Sequence, residues 1–155
     1  MKNILPTLII ALFAAVFSFP GQSAGHGIGI DLIKLVDENQ DGGMWNVHGQ
    51  AGIGGDFALA LGYARGDALS IVEVGVKYYF GRYMNSPFIH LGAGHFDHDA
   101  GSDAGFIGAL GLERMLTAHI GFSSAVKITT GADHDYLGYP ESPIFQATFS
   151  LMLAF

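Results

Sequence analysis

Hydrophobic and polar residues alternate with a period of two along most of this chain, most cleanly at its end. Phe145, Ala147, Phe149, Leu151, Leu153 and Phe155 share one phase; Gln146, Thr148, Ser150, Met152 and Ala154 share the other. Successive side chains of a strand point to opposite faces, so this spacing predicts a strand with one apolar face and one polar or small face. Seven further runs follow the same rule. They cover Gly27 to Val36, Met44 to Ile53, Phe57 to Ala64, Leu69 to Phe80, Pro87 to Phe96, Ala104 to Glu113 and Ala118 to Ile128. In the fourth, Val72, Val74, Val76, Tyr78 and Phe80 oppose Glu73, Gly75, Lys77 and Tyr79. Helical periodicity fits none of these runs better, and 23 glycines would weaken helices throughout.

A strongly apolar strand at the edge of a soluble sheet invites aggregation. Closing the sheet removes every edge, and an apolar outer face then suits a bilayer, in which backbone groups must be paired internally. The runs are near the roughly 9–11 residues that a tilted membrane strand requires. The expected fold class is therefore all-β, an eight-stranded antiparallel up-and-down transmembrane β-barrel. An even strand count puts both ends of the barrel chain on one side, the periplasmic side in bacterial barrels. Inner turns are then expected at 54–56, 81–86 and 114–117, and outer connections at 37–43, 65–67, 97–103 and 130–142. Three of the outer connections are longer than any inner turn, and acidic residues concentrate in those three.

Composition narrows this picture. The chain is 50% hydrophobic with mean hydropathy +0.36, yet beyond residue 24 no stretch approaches the roughly twenty apolar residues of a membrane helix. Met1-Lys2-Asn3, the apolar stretch Ile4 to Phe19 and the small residues up to Ala24 read as a secretory leader. Residues 1–24 are thus expected to be a signal peptide and 25–155 an outer-membrane β-barrel domain. A retained anchor is the competing reading, against which stand the short apolar stretch and its Pro6. Without the leader, six basic residues face fourteen acidic ones, which favours cations over nucleic acid as partners. Cysteine is absent, so neither a disulfide framework nor a thiolate site is available.

The inward phase carries Asp31, His48, Gln50, Glu73, Lys77, His90, Glu113, His119 and Lys127. Charges enclosed in a narrow barrel must pair, because an isolated buried ion costs several kcal/mol. Glu73 is expected to pair with Lys127, and Glu113 with His119 or His90. The plain reading is a salt-bridge core; the sharper one is a proton or ion path. Many glycines fall on the same phase, making room for these side chains in a lumen only wide enough for side chains. Trp45, Phe57, Tyr63, Tyr78, Phe80, Tyr83, Phe88 and Phe155 lie near strand ends, where interfacial aromatic girdles are expected.

With these residues in view, the closing strand on Phe155 resembles that of Gram-negative outer-membrane barrels. In those families a C-terminal Phe, preceded by apolar residues at every second position, is the recognition signal of the barrel-assembly machinery. The run from Pro87 to Phe96 is similar to the Pro-aromatic-apolar-Gly-x-Gly strand of small outer-membrane barrels. As architecture, residues 27–155 resemble barrels of the OmpA-transmembrane-domain and opacity-protein type. The resemblance implies a monomer in the cell outer membrane, exported through the periplasm. Its partners would be outer-membrane lipid, lipopolysaccharide and, through Phe155, the assembly machinery.

Two sets of residues could hold metal. Asp37, Asn39 and Asp41 with Gly42 match the first half of an EF-hand calcium loop. His48 stands where the bidentate acid belongs, and the flanks are strands, so a hydrophilic turn is the alternative. In the third and fourth outer connections, His95, Asp97, His98 and Asp99 and then His134 and Asp135 combine imidazole with carboxylate, which suits zinc or manganese. Solvated acidic loops are the competing reading. No other cofactor is expected. Lipid A deacylases of similar size use a His-x-Ser pair, which His119-Ile-Gly121 followed by Ser123 and Ser124 does not supply. The expected function is non-enzymatic, a structural or surface-interaction role in the outer membrane. The alternatives are a narrow ion or small-solute pore and a metal-binding outer-membrane protein.

Overall fold

The computed structural model describes residues 25–37, 42–99, 101–132 and 142–155. The expected leader, and Asn39, Asp41, His134 and Asp135 among the candidate metal ligands, lie outside them. The elements are β1 (His26–Asp31), a helical turn α1 (Leu32–Leu35), β2 (Trp45–Gly54), β3 (Phe57–Arg65), β4 (Leu69–Tyr79), β5 (Pro87–His98), β6 (Gly101–Met115), β7 (Ile120–Thr130) and β8 (Ile144–Ala154). Every strand pairs antiparallel with its sequence neighbours, and β8 returns to β1, closing an eight-stranded up-and-down barrel. The start of β1 and the end of β8 lie at the rim that carries the connections 55–56, 80–86 and 116–119, here the turn end; the opposite rim is the loop end.

The period-two reading locates all eight strands, with two departures. The first run stops as a strand at Asp31, not at Val36. Ile28 and Ile30 point outward with Leu32 next in phase, so a longer strand would put Lys34 on the apolar face and Ile33 and Leu35 in the lumen. The chain turns instead. The Asp31 carboxylate accepts from Ile33 N at 3.0 Å as an N-cap, and the helical turn brings the Lys34 ammonium within 3.3 Å of Glu73 Oε1 in the interior. The second departure is at the third outer connection. Asp97 and His98 pair with Ser102 and Gly101 as rungs of a hairpin that outruns the expected loop.

The outward phase is mainly apolar around the barrel, with Leu91 67%, Phe106 75% and Phe145 63% exposed, and its charged residues lie toward the strand ends. Aromatic pairs sit on both rims of this face. Trp45 and Tyr63 meet at 6.0 Å at the loop end, and Phe57, Tyr78 and Phe80 form a chain with 5.1 and 5.2 Å spacings at the turn end. Tyr83 and Phe88, expected in a girdle, instead pack inside against Tyr79.

The interior is layered, which the expectation of a polar inner face did not include. At the loop end Met44, Ala64, Leu69, Ile71, Phe96, Ile107, Ala132 and Ile144 form one apolar cluster drawn from around the whole barrel. At the turn end Ala58, Tyr79 and Phe88 pack together, and Met84, with a left-handed φ of 55°, is buried close to Gly27 and Met152. Polar residues occupy the middle. The strands pass close enough there that a Cβ on Gly92 would meet the Val74 carbonyl oxygen at 2.5 Å and Gly75 Cα at 3.0 Å. A Cβ on Gly62 would find nothing nearer than Glu73 Cβ at 3.5 Å.

These two glycines separate backbone crowding from a tolerated gap. Gly92→Val is expected to destabilise the barrel by about 1–3 kcal/mol through overpacking. Gly62→Val is expected to stay within about 1 kcal/mol of the parent. Urea unfolding of the refolded protein measures both; equal losses would contradict the packing described.

Candidate functional site

The middle layer is built from inward positions of six strands and from α1. Nearer the turn end, Glu113 on β6 is 1% exposed and collects three donors. Lys77 Nζ approaches Oε1 at 2.5 Å, and Tyr79 Oη and Gln50 Nε2 approach Oε2 at 2.7 and 3.0 Å. Lys77 also donates to Gln50 Oε1 at 2.6 Å and lies 4.6 Å above the Phe88 ring. The pair is thus solvated by protein dipoles and a ring face, the condition under which a buried ion pair is tolerated. Glu113 takes these partners and not His119 or His90 as expected. His119 lies outside the lumen in an exposed turn, with its Nδ1 3.2 Å from the Ala154 carbonyl. Burial pushes the Tyr83 phenol up in pKa, and the nearby Glu113 carboxylate adds to the shift.

Nearer the loop end, Glu73 on β4 receives Lys127 at 2.5 Å, the expected pair. It also receives Lys34 at 3.3 Å, which the phase of the first run did not place inside. Asp31 completes this layer as a stitch between strands. Its backbone N–H donates to Asn46 Oδ1 at 2.6 Å, Asn46 Nδ2 donates to the Asp31 carbonyl at 2.9 Å, and the Asp31 carboxylate accepts from Phe149 N at 3.3 Å. Side chains here replace ladder bonds that the short β1 does not make, keeping backbone groups satisfied. The three carboxylates Asp31, Glu73 and Glu113 stand against the three ammonium groups Lys34, Lys77 and Lys127.

A cavity of about 110 Å³ is bordered by members of both layers, including Lys34, His48, Glu73, Lys77, His90 and Lys127. His90 occupies the space left by Gly75 and Gly92, and its Nε2 is buried with no hydrogen-bond partner among the described residues. The region is therefore polar, internally neutral and only partly filled.

The candidate metal residues that are described are not brought together in this way. Asp37 follows α1; His95 and Asp97 face outward on β5, His98 faces inward 3.6 Å from Asp103, and Asp99 is in the hairpin turn. Alternation along a strand sends neighbours to opposite faces, so His95 and His98 cannot converge within one chain. Among the described residues no group of three or more His, Asp or Glu is placed to hold a metal ion. No family model matches the chain, and no curated protein matches it.

Removing one member of the Glu113 pair strands a buried charge. Lys77→Met is expected to cost about 3–5 kcal/mol, whereas the double change Lys77→Met with Glu113→Gln should recover much of that loss. Chemical unfolding of the four proteins in the cycle reads the coupling; additive losses would mean the pair does not interact as described.

Proposed function

We propose that the chain is a monomeric, non-enzymatic outer-membrane β-barrel, with a structural role and an acidic surface at its loop end for interaction with the surroundings. The observation that carries this reading is the apolar outer wall of a closed barrel around a charged, hydrogen-bonded middle layer. That is the reverse of a soluble barrel and the arrangement that a bilayer rewards. The aromatic pairs on both rims support it, because amphipathic rings prefer the two interfaces. In this reading the turn end is periplasmic, and Phe155, 64% exposed beside the His26 ring, is available to the assembly machinery before insertion. The acidic residues of the loop end would meet lipopolysaccharide through bridging cations.

A conducting pore is less favoured. Apolar clusters pack inside the barrel toward the loop and turn ends on either side of the polar middle, and apolar side chains in a lumen oppose ion passage.

Outer-membrane fractionation and a change in gel mobility on boiling are expected, since closed membrane barrels resist unfolding until heated. A soluble fraction with unchanged mobility would contradict the reading. In planar bilayers the purified protein is expected to be electrically silent; stepwise conductance would favour the pore.

A further inference from the structure

The barrel wall is incomplete at the loop end of one seam. β1 pairs with β2 only from Gly29–His48 downward and with β8 only from Asp31–Ser150 downward. The outer parts of β2 and β8, Trp45 to Val47 and Ile144 to Phe149, therefore have no β1 rung between them. The helical turn α1 stands in that interval, held by the Asp31 cap, by the Met44 N–H donated to the Lys34 carbonyl at 2.7 Å, and by the Lys34–Glu73 contact. Ile33, Leu35 and Val36 remain exposed on its far side. The cavity lies directly behind: Asp31, Lys34, Asn46, Thr148 and Ser150 belong to both the seam and the cavity wall.

We propose that this cavity is a binding site for the head of a small uncharged amphiphile, reached from the bilayer by displacement of α1. The proposal rests on the membrane reading above. Apolar clusters pack toward the loop and turn ends, and the wall residues Asp31, Lys34, Asn46, Thr148 and Ser150 are those of the seam, which points to the side wall as the way in. Facing the bilayer, that wall meets molecules that carry an apolar chain, and Ile33, Phe145 and Phe149 offer such a chain a surface. The head must be uncharged, because the lining charges are already balanced: Lys77 by Glu113 behind the wall, and Lys34 and Lys127 by Asp31 and Glu73, so a further ion would be buried without a counter-charge. It must also form hydrogen bonds, since the polar side chains His48, His90, Ser123, Thr148 and Ser150 line the space. A polyol such as a glycerol monoester has this chemistry.

The test uses the refolded barrel in phosphatidylcholine nanodiscs, with monolaurin as probe and laurate and free glycerol as controls. Co-elution with the discs checks the membrane reading; a barrel that stays outside them overturns both readings. For inserted protein, monolaurin is expected to give saturable NMR shifts at the His90 ring and the Ser150 amide. Laurate and glycerol should give none. Gly62→Val, which fills the cavity wall without a backbone clash, should weaken the monolaurin effect at least about tenfold, since bulk in a ligand's place removes its contacts. A spin-labelled monoacylglycerol should broaden the His90 resonances of the parent protein, and a water-soluble paramagnetic chelate should not. Inserted protein with unsaturable shifts, shifts unchanged by Gly62→Val, or binding of free glycerol would overturn the inference while leaving the membrane reading intact.

Discussion

Glu113 ties three strands through one carboxylate. Lys77 and Tyr79 reach it from β4 and Gln50 from β2, while Glu113 itself projects from β6. A closed barrel with an apolar exterior has nowhere else to put its charges, and a lumen this narrow holds no bulk water to solvate them. The interior must therefore be neutral and internally bonded, and this requirement shapes what surrounds it. Glycines at 75 and 92 let β4 and β5 approach and admit the His90 ring. The second carboxylate, Glu73, draws in Lys127 and also Lys34, at the cost of ending β1 early. The helical turn and the side-chain stitching by Asp31 and Asn46 are thus consequences of neutralising the lumen.

The same requirement separates the barrel's two faces into different tasks. Outward residues along the middle of the wall are mainly apolar, with aromatic rings at the rims. The polar middle fixes register and closure, because each ion or amide bridges strands distant in sequence. The apolar clusters above and below it lower the local polarity, which strengthens the ionic contacts. A cavity remains where Gly62 and neighbouring small residues do not fill the space.

Most of the fold was legible because period two has no rival explanation in a glycine-rich chain, and phase alone placed Gln50, Glu73, Lys77, Glu113 and Lys127 inside. Pairing was less legible. Phase says that Glu113 is inward but not which inward cation lies at its height, so it does not separate the histidines from Lys77, two residues along β4 from Tyr79. Lys34 carried a usable signal: at its position the alternation would place a charge on the apolar face, which marks the end of a strand. Tyr83 and Phe88 lie inside and not in the girdle; aromatic residues near strand ends suit both places, and only the folded turn 81–86 decides between them. The loop residues gave composition without geometry, so their chemistry could be named but not assembled.

The central claim is that the apolar wall faces lipid. Trp45 is the sole tryptophan and lies on that wall, 61% exposed at the loop-end rim. Its fluorescence in bilayers containing brominated lipids is the most direct measurement. Blue-shifted emission, quenched by bromine near the head-group region and insensitive to aqueous acrylamide, is expected. Emission quenched by acrylamide and untouched by brominated lipid would contradict the account.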